Sequence, residues 1–300
     1  MKEKEQPGTG VTPQFAALRR PAWIPETEPG DGAPADSKFA GTPYLGDGGE
    51  WPPCPKCRRP LQLFLQLNLG QLPEAARGEF GEGLLQFFHC TYSDTSCDQF
   101  FDTSPHFSNG VLLRLLPAEG TAGTYTGHAR PPEFAAPNRG EEAPPSVPDE
   151  PPSPKLGGGW REAAKGVLLD LLRLGRGTSK QDGGAHPPLP PRRIIGWREV
   201  CEYPGYMETC DLLLGRELTD DEEDEIYEAE PRVGDKLGGW PYWVHEPEYP
   251  DCPVCGRRMR HVFQLASEEN LNYVFGDHGI GYVTQCTEHK DVMGFHWAST

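Results

Sequence analysis

Eight residues of this chain have the type and spacing to hold metal ions. Cys54-Pro-Lys-Cys57 sets two thiols three positions apart, and Cys90 and Cys97 follow with six residues between them. Cys252-Pro-Val-Cys255 repeats the tight pair, and Cys286 with His289 supplies the second pair. A C-x-x-C turn aims both sulfurs at one point, and a pair from a later strand end completes a tetrahedron around Zn²⁺. The expectation is two zinc ions per chain. One sits in a Cys₄ set of Cys54, Cys57, Cys90 and Cys97. The other sits in a Cys₃His set of Cys252, Cys255, Cys286 and His289, with His296 as a rival fourth ligand. Four protein ligands close a site and make it structural, whereas a catalytic zinc normally has three and an open position.

Other chemistry is poorly represented. A redox C-x-x-C wants its first cysteine at a helix N-terminus, but an alternating strand pattern follows Cys57. There is no HExxH, GxSxG, GxxxxGK[ST] or GxGxxG motif. No catalytic or cofactor-binding residue is assigned. Cys201 and Cys210 have no C-x-x-C partner and are expected to be small buried residues.

The elements that must position the ligands are mostly strands. Leu61 to Leu69 carries leucine at every second position, a period-2 pattern for a strand with one buried face. Leu84 to Cys90, Val111 to Leu116 and Met259 to Leu265 are apolar runs of strand length, and Gly281 to Cys286 leads into the last ligand pair. An internal repeat relates the two ligand sets. Lys38 to Leu67 aligns over Lys236 to Leu265 without a gap, matching Gly41 to Gly239, Pro43-Tyr44 to Pro241-Tyr242, Cys54 to Cys252, Cys57 to Cys255 and Gln66-Leu67 to Gln264-Leu265. A period this long implies two homologous halves and not a solenoid. The expected fold is α+β and β-rich, with two homologous lobes from an internal duplication, each carrying a zinc-binding C-x-x-C knuckle.

Around the lobes lie stretches that look unpacked. With 36 glycines and 33 prolines in 300 residues, part of the chain is expected to be disordered. The division expected is a disordered tail over 1–37, an N-terminal lobe over 38–128, a proline-rich linker over 129–159, an amphipathic helix over 160–176, a Pro/Gly linker over 177–193 and a C-terminal lobe over 194–300. Residues 131–154 hold nine prolines, too many for a core. Glu217 to Glu230 holds nine acids and no base, and Thr219-Asp-Asp-Glu222 fits a capping box at the start of a short acidic helix.

Charge narrows the partners. At −17 overall, the chain repels nucleic acid and anionic membrane surfaces, so neither is an expected partner. No signal-like leader and no 18-residue apolar run are present, so a soluble, cytoplasmic protein with reduced cysteines is expected.

At Lys236-Leu-Gly-Gly-Trp-Pro-Tyr-Trp243 with Cys252-Pro-Val-Cys255, and at Gly281-Tyr-Val-Thr-Gln-Cys286, the chain resembles the YwqG-like family of bacterial proteins of unknown function. Ile195 to Pro204 looks like that family's preceding segment. The resemblance covers roughly 38–115 and 194–298 and implies a mixed, β-rich fold of two similar halves. The cysteine arrangement also looks like the more distant programmed cell death protein 2 family, whose members are dedicated chaperones for a ribosomal protein. Together these readings favour a zinc-stabilised protein-binding or chaperone-like module, without enzymatic activity, for a protein client that is basic. The alternative is a zinc-dependent hydrolase with its site in the cleft between the lobes.

Overall fold

A computed structural model describes residues 11–46, 49–92, 106–107, 110–117 and 188–300. Ten strands are present among them: β1 (Arg20–Pro29), β2 (Lys38–Phe39), β3 (Gln62–Asn68), β4 (Leu84–His89), β5 (Val111–Leu116), β6 (Arg192–Glu202), β7 (Lys236–Gly238), β8 (Arg260–Ala266), β9 (Ile280–Gln285) and β10 (Met293–Ala298). They form one sheet in the order β10-β9-β8-β7-β1-β6-β2-β3-β4-β5, with every neighbouring pair antiparallel. The edge strands β5 and β10 approach each other, so the sheet is nearly closed. Helix is scarce among the described residues: α1 (Pro13–Ala16), α2 (Asp220–Glu228) and a wide helical turn over Glu208–Leu214 are the longer segments.

The strand runs read from the sequence are present, with one correction. β3 is buried on both faces. A bulge between Leu63 and Leu65 divides its apolar side chains. Leu61 and Leu63 pack with Cys54, Cys90 and Phe88, while Leu65 and Leu67 enter the main core. Gln66, fully buried in this strand, accepts from Tyr44 N (2.9 Å) and donates to the carbonyls of Pro34 and Asp36 (2.9 and 2.8 Å), so its polarity is spent on pinning loops.

Residues 11–37 are not a disordered tail, because β1 lies in the middle of the sheet and buries Ala22, Trp23 and Ile24. Pro21, Pro25 and Pro29 made the segment look like linker. Their spacing of four puts every missing N–H on one edge of the strand. Gly30 N donates to Pro191 O (3.0 Å), which shows that even-numbered donors face β6. The proline edge therefore faces β7, which pairs only with Ala22 and Trp23. The Pro/Gly linker likewise ends before 193, because Leu189 is buried in the core and donates its N–H to Gln62 Oε1 (3.0 Å). The expected linker over 129–159, the helix over 160–176, residues 1–10 and Cys97 lie outside the described residues.

The segments around the two C-x-x-C turns have matching hydrogen bonds. Lys38 pairs with Gln66 across β2 and β3, and Lys236 with Gln264 across β7 and β8. Tyr44 N donates to Gln66 Oε1 at 2.9 Å, and Tyr242 N to Gln264 Oε1 at 2.8 Å. Both sides contribute to one core. Phe39 meets Phe263 with ring centroids 5.9 Å apart, and Phe87 meets Phe295 at 4.4 Å. A residue from either half therefore loses core contacts if the other is removed.

Candidate metal centres

Each C-x-x-C forms a tight loop closed by its own backbone. Cys252 N donates to Arg257 O and Gly256 N to Cys252 O, both at 2.8 Å, and Cys54 N to Arg59 O and Arg58 N to Cys54 O at 2.7 and 2.8 Å. The fourth residue on from the first cysteine takes a left-handed φ in both, 68° at Gly256 and 63° at Arg58. Glycine adopts that conformation without penalty, whereas at Arg58 it costs roughly 1 kcal/mol.

In the second half, the ligand atoms of Cys252, Cys255, Cys286 and His289 all lie within 4.8 Å of one another, a set that could hold one metal ion. Cys255 Sγ and Cys286 Sγ are 3.6 Å apart, and His289 Nδ1 is 3.7 Å from Cys286 Sγ and 3.9 Å from Cys252 Sγ. Val254 N donates to Cys252 Sγ (3.4 Å) and His289 N to Cys286 Sγ (3.3 Å), bonds that favour thiolates. Burial raises the Cys252 thiol. Burial also opposes ionisation of Cys286, but donation from the His289 and Glu288 backbone overcomes it and brings Cys286 down to about 6. Met259 with Phe107 and Val292 packs around the sulfurs.

In the first half, Cys54, Cys57 and Cys90 converge in the same way, with Cys57 Sγ and Cys90 Sγ at 3.8 Å. Cys54 and Cys90 are buried. His296 stands apart from the second group. It is buried, its Nδ1 meets His106 Nδ1 at 3.0 Å, and its ring stacks on Trp243 and Tyr282. Cys201 is exposed on β6 and Cys210 is half-buried, so neither is the buried filler that the sequence suggested.

The repeated lysines account in physical terms for the segment before each knuckle. Lys236 is fully buried and donates to both carboxylate oxygens of Glu202, each at 2.9 Å. Glu202 also accepts from Arg232 N (2.9 Å) and Trp240 N (3.2 Å), which fixes the Gly238-Gly239 turn. Burial pulls Lys236 down to about 8, with the Glu202 charge pulling the other way. Lys38 is buried in the corresponding place, and its partner Asp31 accepts at 2.7 Å and receives Thr42 N as well. The lysines were visible in the repeat. Their acids were not, because Asp31 and Glu202 come from places that the repeat does not relate.

The match to known sequences follows this frame. Residues 37–289 match a family described as a domain of unknown function, DUF1963. The chain belongs to that family. The matched span runs from the residue before β2 to His289, so it encloses both ligand groups. No curated protein matches the sequence. Among the described residues of this DUF1963 chain, no helix is long and apolar enough to cross a membrane.

Proposed function

We propose that the protein is a non-catalytic protein-binding module whose two halves arose by duplication and are each stapled by a structural zinc ion. Zinc–sulfur bonds of about 2.3 Å arranged as a tetrahedron give sulfur–sulfur edges of about 3.8 Å, and zinc–nitrogen bonds of about 2.0 Å give sulfur–nitrogen edges of about 3.5 Å. The distances of 3.6 and 3.8 Å between sulfurs and 3.7 and 3.9 Å from sulfur to His289 fit a single ion at each group. Cys97 is the fourth ligand proposed for the first. Zinc would tie each knuckle to the end of a neighbouring strand. The competing reading, a hydrolase in a cleft between halves, needs a zinc with an open position, while Cys252, Cys255, Cys286 and His289 already offer four donors.

The observation that supports a binding role is helix α2. It is pinned to the body through Glu222 and Ile226, both buried, and leaves Asp220, Asp221, Glu223, Asp224 and Glu228 exposed beside Tyr227, which is 85% exposed. A fixed, dense negative surface with an aromatic residue suits a basic client in the cytoplasm, in keeping with the resemblance to YwqG-like and programmed cell death protein 2 proteins. Affinity capture from cell extract with the native chain and with Asp220, Asp221, Glu223 and Asp224 changed to Asn or Gln tests it. A basic partner lost from the variant supports the reading. An acidic partner, or one held equally by both, refutes it. Elemental analysis of the purified chain should give about two zinc per molecule, and a value near zero would end the zinc part.

A further inference from the structure

A cavity of about 530 Å³ opens where Glu79 and Phe80 meet the start of β1, the Gly238-Gly239 turn and the start of β8. Three arginines line it in a chain whose overall charge is −17. Each holds its guanidinium carbon over an aromatic ring: Arg20 over Trp240 at 3.5 Å, Arg258 over Tyr249 at 4.1 Å and Arg260 over Phe80 at 4.6 Å from the ring centroid. Stacking uses the face of a guanidinium and leaves its edge donors directed sideways.

Those of Arg260 are incompletely used. Nε and Nη2 of Arg260 are buried and have no hydrogen-bond partner among the described residues, and its nearest acid, Glu79, is 3.6 Å from Nη1. His261, 7% exposed at the cavity wall, has neither ring nitrogen paired among the described residues. Glu208 also lines the cavity, but its carboxylate is committed to Tyr249 OH (2.7 Å) and Trp243 Nε1 (3.0 Å). Burial lowers the pKa of Arg20 and of Arg260, which is the cost of holding cations there without a full countercharge. Buried polar groups normally find partners, so donors left over in a cavity point to a ligand that supplies acceptors.

The repeat gives an internal control. The positions aligned with Arg258, Arg260 and His261 are Pro60, Gln62 and Leu63. Gln62 bonds Thr91 Oγ1 and Leu189 N, and Leu63 packs in the first knuckle's apolar cluster. The same framework is therefore built once without these cations, so the fold does not require them.

We propose that this cavity binds a small organic oxyanion, with a phosphate or carboxylate group held by the edges of Arg20, Arg258 and Arg260 and an apolar body filling the rest of the cavity. Guanidinium forks match the paired oxygens of both groups. The volume admits a molecule of drug or mononucleotide size and not a folded partner.

Titration calorimetry of the full chain with phenyl phosphate, benzoate and inorganic phosphate tests the proposal and separates the two sources of the oxyanion. The expected result is saturable binding of phenyl phosphate or benzoate, with inorganic phosphate at least tenfold weaker for want of the apolar body. Arg260→Met should weaken binding at least tenfold, and Arg258→Gln, at the exposed rim, about threefold to tenfold, each tenfold being about 1.4 kcal/mol. Should Arg260→Met fail to fold, Arg260→Lys replaces it, since Lys keeps the charge and loses the fork. Arg198→Gln, exposed on β6 away from the cavity, should change nothing. No saturation by either organic probe up to about 10 mM overturns the proposal. Binding as tight in the Arg258 and Arg260 variants as in the native chain overturns it too.

Discussion

Glu222 tests how the acidic helix is held. Its sequence context is a run of acids, yet its side chain is fully buried and accepts five hydrogen bonds. Arg216 donates twice at 2.8 Å, Thr12 from its backbone at 3.2 Å and its hydroxyl at 2.5 Å, and Thr219 N at 3.1 Å. Donation from Arg216 above all, then from Thr12 and Thr219, outweighs burial and brings the carboxyl from 4.5 to about 2. At about 1.4 kcal/mol per unit, that is at most about 3 kcal/mol. Arg216 is 33% exposed, so solvent screening reduces the contribution to about 2 kcal/mol. Glu222→Gln should therefore lower Tm at pH 7 by roughly 4 to 8 °C, at about 2 to 4 °C per kcal/mol for a domain of this size. The folded-state pKa is depressed, so the stabilisation is complete above pH 4.5 and is lost as pH falls through 2. Wild type and variant should thus converge in acid. Thermal melts of both, with Glu223→Gln as the exposed control, decide the matter. Equal losses in the Glu222 and Glu223 variants, or a gap that persists at pH 2, would refute the buried-anchor reasoning.

Three further outcomes are expected. Lys236→Met strips the countercharge from buried Glu202 and should cost about 3 to 5 kcal/mol by denaturant unfolding, part of which the double variant with Glu202→Leu should restore; a loss below 1 kcal/mol would contradict the pairing. Asp235 is raised to about 7, first by burial and then by the Glu269 charge, so the stability it lends is full below pH 3.8 and lost as pH rises through 7. Glu269→Gln should stabilise the chain at pH 8 and not at pH 4, and parallel pH profiles of Tm would show that the coupling is absent. Deleting residues 131–154 should leave Tm and metal content unchanged, because nine prolines and few apolar side chains make that segment unfit for a core.

What the sequence alone determined was local: ligand types at tight spacings, strands of alternating or continuous apolar residues, and a repeat strong enough to align the knuckles. The capping box at Thr219 and Glu222 was legible for the same reason, since both of its bonds span three residues. Contacts between distant segments were not. The Arg20–Pro29 strand reads as linker because its prolines dominate its composition, and only the neighbours on either side show that the missing donors share one edge. Glu222 reads as one solvated acid among nine, and its burial depends on Thr12, 210 residues away. By spacing His289 is the expected fourth ligand and His296 its rival, and only the tertiary structure groups His289 with Cys252, Cys255 and Cys286 while β10 sets His296 against His106 and Trp243. The arginine cavity is likewise absent from any linear pattern. Its cations come from β1, the second knuckle and β8, and the pairing of β1 and β8 on either side of β7 brings them to one place, where two donors of Arg260 are left unpaired among the described residues.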